Sequence, residues 1–331
     1  MTPRRAPPAP DLPASGAPSL RAFTVPPDLA GERLDVALAR LAPDLSRARV
    51  QRLVADGRVQ HAGRAAKAAS RLKAGEALQV EVPPPEPSGL VAQDLPLRIL
   101  HEDRDVVVLD KAAGMVVHPA RGAPHSTVVN ALLFRFAARR ELPRLGLVHR
   151  LDKDTSGCLV VARTEAALAA LQAQWKAHTV EKVYLALCHG ALPPVGRLDT
   201  PYGRHPRDRT RFTARGRGPR RAVTSWRTLE AFAAGASLAE VTLETGRTHQ
   251  IRVHLAEAGH PLVGDAVYGG TRREARLAPG HPVRRAADAI GRQALHAARL
   301  AFDHPRTGAR LAVEAPIPAD LARALAVLRG A

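Results

Sequence analysis

Residues 83–88 read PPPEPS, and neither a helix nor a ladder-forming strand can run through them. Each proline lacks a backbone N–H and pushes the residue before it out of the helical region. The run reads as a linker, over 83–95, and it divides the chain into two separately built units. The length of 331 residues supports the same division. With 45% hydrophobic residues, each unit can build a real core.

Ahead of the linker, residues 1–20 are rich in Pro, Ala and Ser and read as a disordered tail. Residues 21–82 have the texture of a small compact domain. Leu34, Ala37, Leu38 and Leu41 recur at helical spacing, and Pro43 follows closely. Ser46 is placed to cap a second helix with Val50, Leu53 and Val54 inward and Gly57 at its end. Its other face carries Arg47, Arg49 and Arg52. Val59 opens a short strand that turns near Gly63, and Leu78 to Val82 alternates as a half-buried strand does.

Charge bears on the partner. Lys and Arg number 49 against 31 Asp and Glu, a net charge of +18, and only six of the 49 are lysines. Such an excess points to a polyanion, since Arg forms bidentate phosphate contacts. Arginine codons are also favoured in GC-rich genomes, so the Ala-rich background supplies a second reading.

Other classes fall away. There is no run of about 18 apolar residues to span a membrane, and the first twenty residues contain no apolar signal core. Cys158 and Cys188 are too few for a disulfide framework, which fits a cytoplasmic protein. The fourteen histidines include no HExxH pair, and Gly-rich phosphate loops are missing. Neither a metal nor a cofactor is expected.

From residue 96 to 331 the pattern becomes a longer α/β alternation. Val106 to Leu109, Leu159 to Ala162, Val183 to Leu187 and Leu238 to Leu243 read as strands. Thr164 caps a helix with Leu168, Leu171 and Trp175 on one face. Residues 271–294 read as an insertion or variable loop. Residues 203–221 hold eight arginines against Asp208 alone, with two prolines and three glycines. They read as a mobile basic hairpin or loop lying on the phosphates of a polyanion, through Arg204, Arg209 and Arg211 among others; a solvated loop is the alternative.

The most informative stretch is Gly146 to Gly157, where an apolar approach enters the polar loop HRLDKDTSG and leaves through glycine into a buried strand. Taken alone it reads either as a rigidly held catalytic loop or as a surface turn whose charges pair among themselves. The nine residues resemble the signature of the RluA family of pseudouridine synthases. Further blocks follow in that family's order: 106–119 (VVVLDKAAGMVVHP), Lys182-x-Tyr184, Thr245 to Leu255, Gly264-Asp265-x-x-Tyr268-Gly269, and His296. The first unit resembles the alpha-L RNA-binding module, through Arg33-Leu34-Asp35, Ser46-Arg47, Gly57-x-Val59 and Leu72-Lys73-x-Gly75.

The resemblance implies an α+β fold with a mixed, largely antiparallel sheet, preceded by a small alpha-L RNA-binding domain. It implies isomerisation of uridine to pseudouridine in RNA, with 23S ribosomal RNA or a pre-ribosomal particle as partner. Asp152 corresponds to the family's essential aspartate. Tyr184 is implied to pack on the target base, and Arg247 is assigned as the salt-bridge partner that keeps Asp152 ionised. Arg150 is the candidate wedge for the flipped base, or else a phosphate contact. His149 is an RNA contact or an orienting residue, and Lys111 and His118 are scaffold or RNA contacts. Arg47, Arg49 and Arg52 are expected to meet phosphates. The resemblance leaves open how Asp152 acts. A monomer is expected. The rival readings are a transfer-RNA synthase and a non-catalytic assembly protein; the latter predicts loss of Asp152, Tyr184 or Arg247, and all three are present.

Overall fold

The computed structural model describes residues 19–45, 47–83, 90–119, 123–136, 142–215, 218 and 220–331. The expected cap Ser46, residues 1–18 of the expected tail and residues 84–89 of the expected linker lie outside them. The chain forms two compact units, Met1–Gly89 and Leu90–Ala331.

In the first unit, β1 (Ser19–Thr24) pairs antiparallel with β4 (Ala77–Val82), and β2 (Val59–His61) lies between β4 and β3 (Arg64–Ala65). Ser19 and Leu20 therefore belong to the sheet, not to a tail, because their backbones pair with Val82 and Glu81. Helices α1 (Leu34–Leu41) and α2 (Arg47–Ala55) bury Leu34, Ala37, Leu38, Val50 and Leu53 against Val59, Leu78 and Val80. Asp35 is fully buried where α1 begins. Arg33 Nε at 3.0 Å, Arg47 Nε at 2.9 Å and Gln51 Nε2 at 2.6 Å donate to it. Chiefly through Arg33, these donors hold its pKa well below the usual carboxylate range.

The second unit is built on a ten-stranded sheet. Its strands are β5 (Arg98–Glu102), β6 (Val106–Lys111), β7 (Ser156–Ala162), β8 (Glu181–His189), β9 (Val195–Arg204), β10 (Phe212–Thr213), β11 (Arg220–Phe232), β12 (Ala236–Leu243), β13 (Leu295–Asp303) and β14 (Arg310–Glu314). The order is β10-β9-β11-β12-β8-β13-β7-β6-β5, with β14 on β13. Among the described residues only β7 and β13 pair in parallel; the sheet is mixed and largely antiparallel.

Alternation along the strands assigns the faces. Val107, Leu109, Leu159 and Val161 pack with α3 (Val128–Arg135), while Val106, Val108, Val160 and Ala162 pack with α4 (Glu165–Ala177). Ala186, Cys188 and Val241 meet α5 (Gln250–Glu257) on the α3 side. Thr164 caps α4 by accepting from Ala167 N.

Two expectations change here. Residues 271–294 are no loop: α6 (Gly270–Glu274) is followed by α7 (Pro282–Ile290), whose Val283, Ala286, Ala287 and Ile290 pack on Leu321, Ala324 and Leu328 of α8 (Ala319–Arg329). That apolar spacing is helical, but Pro279 to Pro282 masked it. Residues 90–95 are no free linker either. Asn130 takes Gln93 N–H on its carbonyl and donates Nδ2 to Val91 O, fastening the segment to α3.

Candidate active site

The loop from Leu147 to Thr155 is held at both ends. Leu147 bridges Val161 of β7, and Leu151 drops into the core between α3 and the sheet. At the far end Gly157 has φ +108°, and a Cβ there would lie 2.2 Å from Ala297 O. Only glycine lets β7 close onto β13 at that point.

Two cations fasten the loop between these ends. Buried Lys111 donates Nζ to Ala112 O, Met115 O and Lys153 O at 2.8, 2.9 and 2.9 Å. Burial brings its pKa down to about 8. Arg292 gives Nη1 to Asp154 O at 2.9 Å and Nη2 to Ser156 Oγ at 3.1 Å, while Nε and Nη2 grip Asp320 of α8. Lys111 is thus scaffold, and Arg292 gives the expected insertion a place beside the site.

This scaffold presents Asp152 with its side chain 17% exposed, so the carboxylate is reachable but shielded. Arg252 Nη1, from α5, lies 3.2 Å from Asp152 Oδ2. The same guanidinium gives Nε and Nη2 to Asp265 at 2.7 and 3.0 Å. Asp265 is fully buried and also accepts from Val267 N and Tyr268 N. Burial alone would lower the pKa of Arg252 and raise that of Asp265. Their mutual pairing reverses both shifts and keeps the two groups charged.

The assignment of Arg247 as the partner of Asp152 is therefore corrected. Arg247 donates Nε to Arg221 O at 3.2 Å and its backbone N–H to Gln250 Oε1 at 2.9 Å. It lies in the turn before α5, whereas Arg252 lies inside the helix among buried Ile251, Val253 and Leu255. An arginine in such company requires a buried acid, a signal the sequence already carried.

Tyr184 stands in the middle of β8 and packs into both clusters on the Asp152 side of the sheet. Burial first, then the Asp152 carboxylate, push its hydroxyl pKa up, so it stays a protonated phenol. His149 turns inward: its ring stacks on Trp175 with centroids 4.8 Å apart, and Nε2 accepts from Val160 N at 3.1 Å. It orients the loop, and its expected RNA contact is withdrawn. Arg150 is exposed and forms no ion pair among the described residues.

The expected RNA contacts are spread out. Arg47 directs Nε to Asp35, Arg49 is half-buried and Arg52 is exposed. In the β9–β10 hairpin, Arg204 lies over the Phe212 ring at 5.1 Å and Arg211 over Tyr268 at 5.2 Å, with Arg209 exposed. His118 is exposed beside Pro119 O. Among the described residues, Asp103, Asp105 and His304 place ligand-type atoms within 4.8 Å of one another. All three already have protein partners: His304 Nε2 meets Asp103 at 3.0 Å, and Arg306 grips Asp105 with two nitrogens.

The RNA pseudouridylate synthase model matches residues 105–257, and the S4 domain model matches residues 32–78. Ribosomal large subunit pseudouridine synthase D of Xanthomonas campestris pv. campestris is 47% identical over 313 residues, 94% of this chain and 93% of that protein. The chain belongs to the RNA pseudouridylate synthase family. The same-named protein of Neisseria meningitidis serogroup A is 43% identical over 93% of this chain and 81% of its own. Among solved structures, Human RNA Pseudouridylate Synthase Domain Containing 1 superposes with a TM-score of 0.53 at 29% identity, over 69% of this chain and 86% of that one. The RNA pseudouridylate synthase match takes in Asp152, Tyr184 and Arg252; Asp265, Tyr268 and Arg292 lie beyond it.

Proposed function

We propose that this pseudouridine synthase isomerises defined uridines of large-subunit ribosomal RNA, with Asp152 as the catalytic carboxylate. One observation carries the reading: a reachable carboxylate held by a buried arginine, itself fixed by a second carboxylate. The reaction breaks the bond between the ribose and N1 of uracil, turns the base and rejoins it through C5. A proton leaves C5 and one arrives at N1, so the sum is an isomerisation without redox change. Arg252 holds one oxygen of Asp152 in place, Tyr184 packs on the base, and exposed Arg150 fills the gap left by the flipped nucleotide.

The names of the relatives support the ribosomal substrate. We assign the S4 unit, over 19–82, to RNA anchoring through Arg52 and its neighbours, and 90–331 to catalysis. Among the described residues no helix is long and apolar enough to cross a membrane. A cytoplasmic monomer that uses neither metal nor cofactor completes the proposal; chelation and sizing by light scattering test those two points. The decisive experiment is pseudouridine mapping in 23S and transfer RNA treated with wild type and Asp152→Asn. Wild type should modify the 23S RNA, and the variant should bind it as tightly yet leave no pseudouridine. Modification by the variant, or of transfer RNA alone, overturns the assignment.

A further inference from the structure

We infer that His249 is a positioning residue for Asp152, and that the β9–β10 hairpin sets it through Tyr268. The inference rests on the reading of Asp152 as the catalytic carboxylate. His249 precedes α5 with φ +59°, in the left-handed region. The Tyr268 hydroxyl holds its ring. That oxygen accepts from Phe212 N at 3.0 Å and lies 2.9 Å from His249 Nδ1, the acceptor assigned to its proton. A ring that accepts on Nδ1 and is kept neutral by burial carries its hydrogen on Nε2. Nε2 faces Asp152 Oδ1 at 3.9 Å, while the other carboxylate oxygen meets Arg252. The free oxygen thus has a donor aimed at it from about 1 Å beyond hydrogen-bond length.

The hairpin supplies the missing movement. Phe212 packs edge-on to His249 at 5.9 Å and Tyr268 does so at 5.6 Å. Both rings carry a hairpin arginine, Arg204 on Phe212 and Arg211 on Tyr268. RNA phosphates that engage the hairpin draw on the same arginines that stack on these two rings. Closing the last ångström then completes the hydrogen bond and orients Asp152 when RNA is seated.

The test compares turnover of a 23S RNA transcript by full-length wild type, His249→Ala, His249→Gln, Tyr268→Phe and Asp152→Asn, with thermal melts as folding controls. His249→Ala should lower kcat about ten- to a hundredfold with KM within about twofold. His249→Gln, which keeps an N–H donor, should recover most of that loss. Tyr268→Phe removes one hydroxyl and should lower kcat about three- to tenfold; it decides the matter should His249→Ala fail to fold. A folded variant with wild-type kcat, or a loss carried by KM, overturns the inference alone when Asp152→Asn is inactive. Turnover by Asp152→Asn sinks the parent reading and this one with it.

Discussion

Arg252 binds two aspartates at once, Asp152 through Nη1 at 3.2 Å and Asp265 through Nε and Nη2 at 2.7 and 3.0 Å. The inner, fully buried acid fixes the guanidinium, so the outer acid meets a cation already in place. Preorganisation of this kind spares the site from ordering itself during the reaction.

Arg252→Lys keeps the charge but cannot reach both carboxylates as a planar fork does. Pseudouridine formation should fall about a hundredfold, whereas Arg247→Ala should stay within about threefold of wild type. Asp265→Ala strands the buried cation and should lower unfolding stability by about 3 kcal/mol in urea titrations.

Gly157→Ala places a methyl group against Ala297 O at a positive φ. Urea unfolding of the variant should show a loss of about 2 kcal/mol or more, with reduced turnover because the loop end moves. Stability equal to wild type would mean that β7 and β13 part without penalty.

Arg292→Ala removes the tie between α8 and the catalytic loop at Asp154 and Ser156. Turnover should fall about tenfold at unchanged RNA affinity, since the residue lies behind the loop. Filter binding and single-turnover kinetics separate the two quantities.

His149 gives a pH signature. Burial first, then the Lys182 charge, lower its pKa to about 3. Between the ordinary value of about 6.5 and 3, the unfolded chain takes up a proton that the folded chain refuses. Stability should therefore fall as pH drops through that window, with no such slope above it. In His149→Phe, which keeps a ring for Trp175, urea midpoints from pH 7 to 4 should show a shallower decline. Removing the acceptor for Val160 N should also lower its stability at pH 7 by about 1 to 3 kcal/mol.

Local pattern was enough to place most elements. Leu34 to Leu41 is helical because its apolar residues share one face, and Val106 to Leu109 is a strand because it is apolar throughout and buried on both sides. The helix Pro282–Ile290 escaped because Pro279 and Pro282 stand ahead of an apolar stripe that is already helical in spacing. Ser19 and Leu20 escaped for a different reason, since their strand exists through pairing with Val82 and Glu81, about sixty residues away in sequence.

By itself the sequence determined the local facts: two units parted by prolines, the strand-bounded loop that carries Asp152, and the cationic surface suited to RNA. Which arginine meets Asp152 was decided in three dimensions. Arg247 and Arg252 are alike in charge and five residues apart, but only the second is carried inward on α5, where an unpaired charge would be too costly and Asp265 is waiting. Composition and spacing say which groups a chain possesses, whereas burial dictates which of them must become partners.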